Sequence, residues 1–228
     1  MKKKQRKPRD LKNEGTLVFS YLRLRKIAGF LGMAFPFVMW LGGWSFYGKG
    51  IQSSISAYYH TPMQDFFVGI LWAIGFFLLS CKGYDDDYIF GATACGFAVG
   101  VSLFPVTPDG VTQGDPVIIG ALHQTFAALF FITLIYFSGV LFRKTHKSKR
   151  KEPTPRKLLR NKVYLTCAWL MAFCVVSIPV YNYLLPPDLR SLLADYEPVF
   201  WLESLAIFTF GVAWATKGEA LAFFNDEE

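Results

Sequence analysis

Five side chains in this sequence have the types and spacing that chemistry needs: Ser56, His60, Asp65, His123 and Glu203. The first three fall in SISAYYHTPMQDFF (54–67), whereas His123 and Glu203 interrupt long apolar runs. Thr61, Pro62 and Gln64 match an N-cap, a first-turn proline and the third residue of a capping box, so a helix is expected to begin at Pro62. The residue before such a cap and the fourth helical residue meet across it. Here they are His60 and Asp65, an imidazole and a carboxylate that would bond and fix the histidine tautomer. Two histidines and a carboxylate can hold a catalytic Zn²⁺ with an open water position. In that chemistry His60, His123 and Asp65 are the metal ligands. Glu203 is the general base, Ser56 contacts the water or oxyanion, and Asp65 alternatively stands behind a ligand as a catalytic partner. The plainer reading of the same residues is a closed hydrogen-bond network joining helices.

The elements that must carry these residues follow from hydropathy. The 228-residue chain is 53% hydrophobic and 18% charged, a balance rare in a water-soluble domain of this size. Six runs are uncharged or nearly so: 27–47, 66–81, 88–106, 117–142, 163–185 and 199–216, the last holding Glu203. A bilayer core of about 30 Å takes about 20 such residues per helix, so the expected fold is all-α, a six-helix transmembrane bundle. Ten Lys or Arg lie in 1–26 and ten more in 143–162, which puts both segments and both termini in the cytoplasm. The expected organisation is a disordered basic arm (1–26), four spans (27–142), a solvated basic linker (143–162), two spans (163–216) and a cytoplasmic tail (217–228). Ser56, His60, Asp65, His123 and Glu203 then share the outer side, with His123 and Glu203 about 8 Å inside their spans at about 1.5 Å per residue. Asp109, Asp115, Asp188, Asp195 and Glu197 form an acidic outer rim.

The net charge of +7 is accounted for by the basic juxtamembrane segments, whose partners are anionic lipid headgroups rather than nucleic acid. No nucleotide-binding glycine loop, serine nucleophile elbow or haem motif is present. Cys81, Cys95, Cys167 and Cys174 fall in or beside spans and read as packing residues. Gly91, Gly96 and Gly100 give the third run a small-residue surface and a central place in the bundle. One of Asp85, Asp86 and Asp87 is expected to cap it. Trp40, Trp44, Tyr47, Tyr58, Tyr59, Trp201 and Trp214 read as interfacial anchors, and Pro36 and Pro179 as kinks. A bacterial inner membrane fits these features.

SAYYHT (56–61) and DFFVG (65–69), with LHQTF (122–126), resemble uncharacterised families of six-span bacterial membrane proteins. More distantly, Ser56, His60 and Asp65 resemble the first motif of the superfamily of alkaline ceramidases and progestin and adiponectin receptors. His123-Gln124-x-Phe126 is similar to that superfamily's late histidine motif. The resemblance implies zinc-dependent hydrolysis of lipid amides within a seven-span fold. This chain departs from it at Ala127, where the motif carries a second histidine, so Asp65 or Glu203 would have to replace a ligand. The expectation is a metal-dependent hydrolase acting on a lipid or other amphiphile at the extracytoplasmic face. The alternative is a non-enzymatic membrane protein for binding, transport or scaffolding.

Overall fold

The computed structural model describes residues 11–48, 50–79, 87–144, 154–221 and 223. Seven α-helices occur among them: α1 (Leu11–Tyr47), α2 (Gln64–Leu79), α3 (Asp87–Leu103), α4 (Asp115–Gly139), α5 (Pro155–Pro179), α6 (Pro187–Ala194) and α7 (Pro198–Lys217). Four stretches, Leu22–Phe46, Asp115–Arg143, Pro155–Leu184 and Pro198–Lys217, are long and apolar enough to cross a membrane. α2 and α3 are apolar but only 16 and 17 residues long. At 1.5 Å per residue they reach about 25 Å, short of a hydrocarbon core of about 30 Å.

Packing follows chain order. α1 lies against α2, α2 against α3, α3 against α4, α4 against α5, α5 against α7, and α7 returns to α1. Six helices therefore close a ring. Neighbours run antiparallel: Gly75 of α2 faces Cys95 and Ala98 of α3, and Gly91 faces Leu78. In the α3–α4 pair Phe90 meets Tyr136 while Phe97 meets Phe126. One end of the ring thus gathers the end of α1, the start of α2, the exit of α3, the start of α4, the end of α5 and the start of α7.

The α1–α7 seam is the most extensive, and glycine sets its closeness. A Cβ at Gly29 would come within 2.5 Å of the Ala215 backbone nitrogen, and one at Gly211 within 2.6 Å of the Gly29 carbonyl oxygen. Where surrounding lipid is as apolar as leucine, such backbone approach gives the helices their cohesion through dispersion contacts.

Several expectations change at the element ends. The basic arm is helical from Leu11 and forms the first turns of α1. Residues 155–162 of the linker are helical too, started by Thr154, whose hydroxyl accepts the Lys157 N–H at 3.1 Å. α2 begins at Gln64 rather than Pro62, although the Thr61 hydroxyl accepts the Met63 N–H as an N-cap does. At Pro179, α5 passes into one π-helical turn, Val180–Leu184, closed by the Leu185 N–H on the Val180 carbonyl. Pro179 has no N–H to continue the α-pattern, so the wider turn falls where proline requires it. α3 sits in the ring as one wall, not at its centre. Tyr58 and Trp214 are core residues: Trp214 is enclosed by Phe137, Phe142 and Phe210. Cys81, Asp85, Asp86 and His146 lie outside the described residues, as does the side chain of Asp87.

Alanine substitution separates close approach from open space. Gly29→Ala and Gly211→Ala are expected to cost about 1–3 kcal/mol each through overpacking, lowering the melting temperature in detergent. Gly96→Ala, where a Cβ meets nothing within 4 Å, is expected to leave it unchanged or slightly higher.

Candidate functional site

The loop between α1 and α2 has to satisfy several buried backbone amides without a helix to do it. It folds back as a 3-10 turn, Ser56–His60. The Ala57 N–H is accepted by the Ser54 hydroxyl at 2.9 Å. The Ile55 and Ser56 N–H groups are accepted by one carboxylate oxygen, Glu203 Oε2, at 2.7 and 3.3 Å. Glu203 stands in the second turn of α7 and reaches across the ring interior to the loop. The other oxygen, Oε1, accepts no hydrogen bond from the described residues.

Three cavities meet at this carboxylate. An interior one of about 40 Å³, room for a water or two, is walled by Phe35, Phe67, Phe130 and Phe210 and touches Ser56 and Glu203. A cleft of about 430 Å³ opens between α4 and α5, with walls of Ala127, Ala128, Phe131, Val175, Ile178 and Tyr183, and ends on Glu203. A vestibule of about 330 Å³ lies at the ring's end, bounded by Ser53, Asp109, Gln124, Asn182, Glu197 and Glu203. Glu197 precedes α7 in a left-handed conformation, φ 48 and ψ 56. Burial, followed by the like charges of Asp109 and Asp195, holds its carboxyl above the usual range. Asp109 is fixed by the Ser53 hydroxyl, which donates to its carboxylate at 3.1 Å.

The five residues singled out in the sequence separate into distinct places. Ser56 and Glu203 come together, through the serine's backbone amide rather than its hydroxyl. His60 is exposed, and its Nε2–H donates to the Val106 carbonyl at 2.7 Å. His123 is 1% exposed, and its Nδ1–H donates to the Phe104 carbonyl, also at 2.7 Å. The two imidazoles thus take up carbonyls of the segment by which the chain leaves α3. Asp65 is exposed on α2 and makes no hydrogen bond with His60. Neither histidine nor Asp65 lines any of the three cavities.

Among the described residues no three His, Cys, Asp or Glu side chains form a group able to hold a metal ion. The carbonyl bond leaves the second nitrogen of each imidazole free, as in zinc-bound histidines, but His60, His123 and Asp65 do not gather into such a group and so do not fit the expected zinc ligand set. The vestibule acids Asp109 and Glu197 had read as rim charge. Only the return of α7 beside the α3–α4 loop shows that they share a chamber with Glu203. No family model matches the chain, nor does any curated protein or solved structure.

Removing the carboxylate should release the loop. Glu203→Ala leaves two amides unpaired at about 1–3 kcal/mol each, and amide hydrogen exchange at residues 53–58 is expected to accelerate at least tenfold. Glu203→Gln keeps an acceptor oxygen and is expected to keep most of the protection.

Proposed function

We propose that this protein is a six-span integral membrane protein that binds an amphiphile, taking it from the outer leaflet through the cleft between α4 and α5. The observation that carries this reading is the continuity of the cleft with the vestibule at Glu203: one end is apolar and open sideways, the other polar and open at the ring's end. Ligand sites of this size, largely apolar with a few fixed polar groups, suit a molecule with one tail and one head. A carboxylate within a membrane span costs about 2.5–3.5 kcal/mol unless it meets a partner or water. Both are on hand here, in the loop amides and the vestibule.

The orientation rests on charge segregation. Arg23, Arg25, Lys26, Arg143, Lys144, Arg156, Arg160 and Lys217 lie towards the ring end opposite Glu203, and the positive-inside rule makes that end cytoplasmic. α2 and α3 complete the six spans if their flanking turns enter the headgroup region. Binding is favoured over hydrolysis because the cavities that would receive an amphiphile contain no histidine.

Two measurements test this. In intact cells, a membrane-impermeant maleimide should label a cysteine at Val111→Cys and reach one at Lys144→Cys only after permeabilisation; the reverse pattern would invert the orientation. A diazirine-bearing twelve-carbon amphiphile, whatever its head group, should crosslink to residues 124–131 and 175–183. Ala128→Trp is expected to cut that labelling at least fivefold. Labelling spread over all lipid-facing helices and indifferent to Ala128→Trp would defeat the binding reading.

A further inference from the structure

We infer that the amphiphile's head is a cation, a single-chain alkyl amine or quaternary ammonium without a phosphate. This inference rests on the binding reading above and names the ligand class for that same site. Three observations carry it together.

The first is the unpaired oxygen. Glu203, which lines both cleft and vestibule, directs Oε2 to the loop amides and leaves Oε1 without a bond from the described residues. A carboxylate oxygen accepts only, so it favours a donor, and a charged one most.

The second is the sign of the lining. Among the described residues, the polar groups bounding the vestibule are three carboxylates, Asp109, Glu197 and Glu203, with Ser53, Ser54, Gln124, Tyr181 and Asn182, and no basic side chain. Arg190, a cation on α6, is turned to the Asn182 backbone carbonyl at 2.8 Å and does not line the chamber. A phosphate drawn in behind an amine would face Asp109 and Glu197.

The third is the cleft itself. Apart from Glu203, its lining is apolar or neutral, so it offers an alkyl chain a wall without competing charge. Tyr183 at its edge adds an aromatic face of the kind that receives ammonium groups.

The test compares dodecyltrimethylammonium, dodecylamine, dodecanol and twelve-carbon lysophosphatidylethanolamine as competitors of the photolabel on the purified full chain in neutral nanodiscs. The two cations should compete at least tenfold more strongly than the alcohol and the lysophospholipid. Glu203→Gln should remove most of that preference while leaving dodecanol competition within twofold. Asp109→Asn and Glu197→Gln should each weaken the cations about threefold. Ala128→Trp should weaken all four. If the four compete equally and Ala128→Trp weakens them all, the cationic head is overturned and the binding reading stands. Lysophospholipid as strong as the amine overturns the exclusion of phosphate. If none competes in a manner sensitive to Ala128→Trp, both readings fall together.

Discussion

A single carboxylate in a largely apolar helix holds the polar end of this protein together. Glu203 accepts from the amides of Ile55 and Ser56 and so caps the start of the 3-10 turn that the α1–α2 loop makes on its way to α2. Without that acceptor the loop would bury donors, at about 1–3 kcal/mol each. Without the donors, the charge would stand unpaired inside a span. Each feature is tenable only because of the other, and their meeting fixes where Tyr58, Ile55 and Met63 enter the core.

The rest of the ring depends on backbones that approach closely and on aromatic rings that fill the gaps. Gly29 and Gly211 bring α1 and α7 together, and near them Trp214 and Phe142, with centroids 4.5 Å apart, pack the end away from Glu203. There Lys217 lies over the Phe142 and Tyr164 rings and donates to the Phe142 carbonyl at 3.3 Å. The cation end and the carboxylate end are thus built alike, each with a charged α7 side chain reaching a backbone group of another segment.

The histidines belong to the same economy of backbone groups. Each donates to a carbonyl just beyond α3, so the chain can leave that helix and reach α4 without stranding acceptors. Those bonds hold both histidines outside the chambers at Glu203. The polar side chains at those chambers are carboxylates, hydroxyls and amides.

How far the sequence reached can be seen residue by residue. Uncharged runs located the apolar helices, because hydropathy and length are local properties; the described basic side chains flanking α1, α4 and α5 sit together at one end, because juxtamembrane charge is local as well. Thr61 was recognisable as a cap, and Pro179 as the place where the α-pattern gives way. What the sequence left open was which groups meet. His60 and Asp65 are five residues apart and look like partners. Yet the carbonyls of Val106 and Phe104, and the amides of Ile55 and Ser56, compete for the same side chains, and backbone groups carry no signature in the sequence. Glu203 lies 148 positions from its partner Ile55, and Asp109 and Glu197 share a chamber only because the ring closes α7 onto α1. The sequence by itself determined that the helices are apolar and where they run. The tertiary structure alone decided which polar atoms face one another, since that depends on ring closure, a property of no single segment.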